Sequence, residues 1–107
     1  MILCTTDEVP GRAIASYTGL ARGSTVRARS VATDATALIK NALGGEIPEY
    51  TKLLAEAREQ ALDRLVQHAR AHGADAVVAL RITACEIADG AAEILAYGTG
   101  VKLAPIS

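Results

Sequence analysis

Cys4 and Cys85 are the side chains best suited to binding a soft metal ion. Thiolates prefer Cu(I) or Zn²⁺, and these two would meet only if their strands are neighbours. Neither lies in a CxxC motif, and two ligands do not complete a tetrahedral site within one chain, so a ring of subunits would have to supply the others. Because free cysteine is among the most buried residue types, the sequence favours two packed thiols over a metal centre.

His68 and His72 are spaced i, i+4, which on a helix lets two imidazoles share a metal ion. Arg64 lies one turn earlier on the same stripe and would repel a cation. The HARAH stretch also lacks the glutamate of the HExxH zinc motif. Since positive charge is favoured at a helix C-terminus, we expect a solvated helix end rather than a metal site.

The remaining polar clusters indicate no catalysis. Glu56, Glu59 and Asp63 share a predicted helix face, where salt bridges with nearby Lys and Arg are their ordinary role. Gly98 and Gly100 form a GxG inside a predicted strand with no helix after it, so they do not predict a phosphate-binding loop. We expect a protein that is not an enzyme, and the sequence identifies neither a cofactor nor a set of metal ligands.

Composition narrows the partners and the compartment. The chain has 107 residues, which fits one domain over residues 1–107, and a net charge of −1 with scattered Lys and Arg. That distribution predicts binding to neither nucleic acid nor a membrane surface. No apolar run approaches the ~18 residues that span a bilayer, and the N-terminus lacks a basic, apolar export signal. The expected location is the cytoplasm.

Residues 48–73 are the element that must position these side chains. Their apolar residues recur at i, i+3, i+4 and i+7, as in a helix with one buried face. Pro48 suits the first turn, and Gly73 can adopt the left-handed conformation that ends a helix. We predict a helix about 36 Å long.

Extended segments are predicted on both sides of this helix, at residues 1–6, 12–22, 25–28, 74–87 and 91–103. Gly19 suggests a bulge or a close backbone approach, Gly23-Ser24 a turn and Asp89-Gly90 a two-residue hairpin. Alternation along 74–87 places Val78, Leu80 and Ile82 on one face. A short helix is predicted from Thr33 or Asp34 to Leu43. The predicted fold is α+β: a small antiparallel sheet packed with one long and one short helix.

These strands are apolar on both faces, whereas the two predicted helices can cover only one face of the sheet. The other face is then either a large exposed apolar patch, which is rare on a monomer, or is covered by another subunit. We expect a homo-oligomer. The absence of Phe and Trp, with only three Tyr, predicts a core of Ala, Val, Leu and Ile that favours close approach of helix to sheet.

The ordered set of short motifs resembles the YbjQ-like family, small bacterial and archaeal proteins described as heavy-metal-binding domains. The resemblance runs nearly end to end and rests on the following residues: Thr5-Thr6, Gly19, Gly23, Asp34, Gly44-Gly45, Tyr50, Ala57-Arg58, Gly73-Ala74-Asp75-Ala76-Val77-Val78 and Tyr97-Gly98-Thr99-Gly100-Val101. It implies a small α+β subunit that assembles into a ring, a homopentamer in this family. The two cysteines do not belong to the family pattern, so the resemblance assigns them no metal.

Two functions remain open from the sequence. The first is a cytoplasmic, non-enzymatic ring that binds a heavy-metal ion or small ligand at subunit interfaces. The alternative is a structural or interaction scaffold with no ligand chemistry. Arg58 at a subunit junction, paired with a carboxylate such as that of Asp75, is a further hypothesis, since a bidentate pair fixes geometry.

Overall fold

The computed structural model describes residues 1–28, 48–88 and 90–106. Across these residues the elements follow the order β1 (Ile2–Leu3), β2 (Ile14–Ala28), α1 (Pro48–Ala71), β3 (Ala76–Ala88) and β4 (Ala91–Leu103). The α+β prediction and the long helix are confirmed. The short helix predicted from Thr33 or Asp34 to Leu43 lies outside the described residues.

The four strands form one sheet in the order β1-β3-β4-β2. β4 pairs antiparallel with β3, as predicted, and Ala88 faces Ala91 across the hairpin; β4 also pairs antiparallel with β2. The prediction of a wholly antiparallel sheet is wrong at β1, which runs parallel to β3 with Ile2 opposite Ala76. The predicted first strand is also shorter, because after Leu3 the chain follows β3 through isolated backbone bonds such as Cys4 N–H to the Val77 carbonyl, 2.8 Å.

Gly23 does not turn the chain, contrary to the prediction, because it lies inside the continuous strand β2. A Cβ at this position would lie 2.7 Å from the Arg64 carbonyl carbon and closer still to Leu65 N and Ala61 O. The missing side chain therefore makes room for the backbone of α1. Gly19, by contrast, has a φ of +105° next to a register shift in β2, which confirms the predicted bulge.

Ala79 interrupts β3 with a β-bulge. Between Val78 and Arg81 the register with β4 shifts by one residue, and Ala79 has a φ of +54°. The extra residue reverses the alternation, so Val77 and Leu80 both pack in the core beneath α1 while Val78 packs on the opposite side. The predicted common face for Val78 and Leu80 is therefore wrong.

One face of the sheet, here the helix face, is covered by α1 over β2 and β4. Its core consists mainly of small aliphatic residues, as predicted: Ala21, Ala57, Ala61, Leu65, Ala69, Ala74, Val77, Ile94 and Ala96. The opposite face, here the outer face, has a smaller cluster of Val9, Ala76, Val78 and Val101 near the chain termini. The rest of the outer face carries no helix or strand of the described chain.

Candidate functional site

The part of β3 beyond its bulge is exposed to solvent. Every residue from Arg81 to Ala88 is exposed, including Ile82 at 44% and Ile87 at 53%. The backbone of the N-terminal segment pairs with the beginning of β3, where Cys4 O and Thr6 O accept from the N–H groups of Leu80 and Ala79. Beyond Leu80, no described strand lies beside the outer edge of β3. We call Arg81–Ala88 the open edge.

The two cysteines lie apart. Cys4 is half-buried beside the bulge, and its carbonyl accepts from Leu80 N–H at 2.9 Å. Cys85 is exposed on the open edge, five residues further along β3 and so about 16 Å from Leu80. Cys85 is directly opposite Glu93 on β4, which places thiol and carboxylate on the same face of the sheet. The structure thus brings Cys85 next to a carboxylate rather than next to Cys4.

His68 and His72 do come together, with ring centroids 4.6 Å apart in an edge-on arrangement. Neither is poised to bind metal through Nδ1. His68 Nδ1 accepts the backbone N–H of Arg22 at 3.1 Å, and His72 Nδ1 donates to the His68 carbonyl at 2.9 Å. The expectation of a simply solvated helix end is incomplete, because His68 is half-buried and makes a tertiary contact.

Arg64 and His68 together bridge α1 to the edge of the sheet. β2 is an edge strand, and its Ser24 carbonyl accepts from Arg64 Nη1 at 2.6 Å, one turn of helix from the His68 contact. An exposed edge strand invites pairing with another chain, and side chains that occupy its polar groups discourage it. The sequence places Arg64 and His68 on one face of the helix. It does not reveal their partners in β2, which lie 40 and 46 residues away along the chain.

No described group of three or more His, Cys, Asp or Glu side chains is arranged to hold a metal ion. Glu56, Glu59 and Asp63 are exposed on α1. Gly98 and Gly100 are buried inside β4, where a Cβ on Gly98 would lie 2.7 Å from Val77 Cγ1, so they serve close packing.

Arg58 and Asp75 do not meet within one chain. Both are exposed, and the 13 residues of helix between Arg58 and Ala71 alone span about 20 Å. Asp75 Oδ2 accepts the backbone N–H of Leu103 at 2.9 Å. A pairing between subunits remains a prediction.

A cavity of about 230 Å³ lies between the second turn of α1 and the β3–β4 turn, and sequence reasoning missed it. Its described lining consists of Arg27, Leu53, Leu54, Glu86, Gly90, Ala91 and Ala92. Arg27 Nη2 donates to Gln60 Oε1 at 3.1 Å, while the buried Arg27 Nε has no hydrogen-bond partner among the described residues. Arg27 shares a row of the helix face with Ala92 and Glu86, and only pairing register, which the sequence does not give, reveals this row.

Comparison with known proteins places the chain in a family. The sequence model of a family described as "Putative heavy-metal-binding" matches residues 1–104. The UPF0145 protein of Halobacterium salinarum is 52% identical over 104 residues, covering 97% of this chain and 100% of the relative. The UPF0145 protein of Archaeoglobus fulgidus is 50% identical over 103 residues, which cover 96% of this chain and 95% of the relative. That of Clostridioides difficile is 48% identical over 103 residues, which cover 96% of this chain and 92% of the relative.

Among the described residues, no helix is long and apolar enough to cross a membrane. The family match spans nearly the whole chain, and relatives from both archaea and bacteria share about half of its residues along their length. The chain therefore belongs to the YbjQ-like family, whose members these relatives are.

Proposed function

We propose that this protein is a non-enzymatic cytoplasmic subunit that assembles with copies of itself into a ring and binds a heavy-metal ion or small ligand where subunits meet. The open edge is the observation that carries the proposal. Ile82 and Ile87 are 44% and 53% exposed there, on a strand whose outer edge has no described strand partner. Burial of apolar surface and completion of backbone hydrogen bonds both favour a second chain at this edge.

Cys85 and Glu93 are the best candidates for metal ligands in such an assembly. A thiolate and a carboxylate on one face of one chain supply two ligands, and a tetrahedral site requires four. A second subunit would supply the others. The description of the family as heavy-metal-binding supports this proposal at the level of the family.

A scaffold without ligand chemistry is the alternative. It is favoured by the absence of a three-ligand cluster among the described residues of one chain. The two functions differ in one respect: a ligand that binds only the folded assembly stabilises it by mass action, whereas a pure scaffold is indifferent to small additives.

Native mass spectrometry, before and after incubation with Cu(I), Zn²⁺, Ni²⁺ and Cd²⁺, tests the proposal. We expect an oligomer that retains metal in fixed stoichiometry in the wild type and in Cys4→Ser, the matched thiol control. Cys85→Ser should keep the oligomer but lose the metal. An oligomer that stays metal-free with all four ions favours the scaffold, and a monomer contradicts the assembly.

A further inference from the structure

We propose that the cavity beneath the second turn of α1 binds a small carboxylate with an apolar body, and that Arg27 holds the carboxylate group. This site lies within one chain, and among its described lining residues Glu86 alone also belongs to the open edge. The proposal rests on an incompletely satisfied guanidinium group, an apolar lining and the position of one acidic residue.

The Arg27 side chain is charged, half-buried and incompletely hydrogen-bonded. Gln60 Oε1 accepts from Nη2 at 3.1 Å and anchors the guanidinium group to α1. The Nε atom is buried and has no partner among the described residues. A buried N–H without an acceptor is unfavourable, and a carboxylate is the group that accepts two parallel N–H bonds from guanidinium. Arg27 is the one cationic residue of the cavity's described lining, so an anionic group of a ligand there would be bound by its guanidinium group.

Apolar groups form the remainder of the described lining apart from Glu86. Leu53 and Leu54 come from α1, and Gly90, Ala91 and Ala92 come from the β3–β4 turn and the start of β4. Small-molecule sites combine such a lining with a few polar groups that fix orientation. At about 230 Å³ the cavity suits a short chain rather than a nucleotide. A ligand with an apolar body and a single anionic end matches both the apolar lining and the Arg27 guanidinium group.

Glu86 argues against a ligand with more than one negative charge. It lines the same cavity from β3, with Ala92 between it and Arg27 on the helix face. Two adjacent strand spacings separate these two positions by about 10 Å. A carboxylate at Arg27 is far enough from Glu86 to tolerate it, whereas inorganic phosphate or a dicarboxylate would bring further charge towards it. The site therefore selects monocarboxylates.

Titration followed by ¹H–¹⁵N NMR of the full chain tests this site, with hexanoate, 1-hexanol, hexylamine and inorganic phosphate as probes. We expect saturable shifts at Arg27, Leu53 and Ala92 with hexanoate, and binding of the other three at least about tenfold weaker because each lacks a single carboxylate on an apolar chain. Arg27→Gln should weaken hexanoate binding by about tenfold or more. Glu86→Gln should strengthen it by about threefold.

Arg70→Gln, at an exposed arginine of the same helix, is the matched control and should bind hexanoate like the wild type. Ala92→Leu fills the cavity without changing its charge and should abolish binding, so the test does not depend on Arg27→Gln folding. Equal affinity of the wild type for hexanoate and 1-hexanol overturns the proposal. Absence of saturable shifts at the lining residues also overturns it.

Discussion

Ala79 shows how one residue adapts β3 to the chain beside it. Its φ of +54° is left-handed, a conformation that costs an L-residue with a Cβ roughly 1 kcal/mol or more. Two contacts with the N-terminal segment hold the bulge: Ala79 N–H donates to Thr6 O at 2.8 Å, and Leu80 N–H donates to Cys4 O at 2.9 Å. Arg81 Nη1 donates to Thr5 O nearby at 2.9 Å. The bulge therefore ends at the point where the open edge begins.

Ala79→Gly should leave the free energy of unfolding within about 0.5 kcal/mol of the wild type, because relief of the left-handed strain offsets the greater chain entropy of glycine. Ala84→Gly, in the regular part of β3, is the control and should lose about 0.5–1 kcal/mol. Ala79→Val should be destabilising, since a β-branched residue tolerates positive φ poorly. Urea denaturation measures all three. A loss in Ala79→Gly equal to that in Ala84→Gly would contradict the strain.

β2 and the outer part of β3 both lie at edges of the sheet, and they differ in their contacts with α1. β2 has its polar backbone groups at Arg22 and Ser24 bonded to α1, whereas β3 from Arg81 onwards is exposed on both faces. α1 lies over β2 because Gly23 lets its backbone approach, and in this position α1 leaves β3 beyond its bulge exposed. Gly23 thus contributes both to the contact of α1 with the edge of β2 and to the exposure of the open edge of β3.

A pair of substitutions on the open edge tests its role in assembly. Ile82→Lys and Ile87→Lys should each shift the protein to smaller species, because a charge would be buried in the contact. Both side chains are largely exposed in one chain, so the folded subunit should keep its helical circular dichroism. Ile106→Lys, at a 79% exposed residue near the C-terminus, is the control. Sedimentation velocity gives the masses, and unchanged masses for both edge variants would exclude this edge as the interface.

The helix, the hairpin and the position of the bulge in β2 were predictable from the sequence because each depends on local chemistry. Gly73, with a φ of +81°, and Gly90, at +75°, lie where the sequence predicts a helix end and a turn. The role of Gly23 was not predictable, because a glycine that permits close packing looks the same in sequence as one in a turn. The cavity was likewise hidden, since Arg27 and Glu86 become neighbours of Ala92 only through strand pairing.

The described part of the chain is elongated, with extents of 59 × 23 × 15 Å. Its radius of gyration is 17.6 Å, whereas a compact domain of about 100 residues has a radius of about 13 Å. A slender shape exposes more surface for its mass than a compact one, and here that surface includes the apolar side chains of Tyr17, Leu20, Val26, Ile82 and Ile87. Burial of these side chains against a second chain would be favourable.

Arg58→Lys tests the hypothesis that Arg58 pairs with a carboxylate, such as that of Asp75, across a subunit junction. We expect a looser assembly, seen as dissociation at higher dilution and a lower melting temperature, because lysine cannot make a bidentate contact. Arg70→Lys, another exposed arginine of α1, is the control. Unchanged oligomer mass and melting temperature in Arg58→Lys would exclude the pairing.

The contacts of Arg64 and His68 with β2 limit how copies of this chain can be arranged. A ring joins unlike surfaces head to tail, and a neighbour's β3 cannot extend the sheet at Arg22 and Ser24 while α1 occupies their backbone groups. In a ring, the sheets of successive chains would then overlap instead of joining through strand pairing into one continuous sheet. Fibril growth by strand addition needs two free edges on every chain. The same two side chains thus oppose polymerisation by strand addition at the edge of β2.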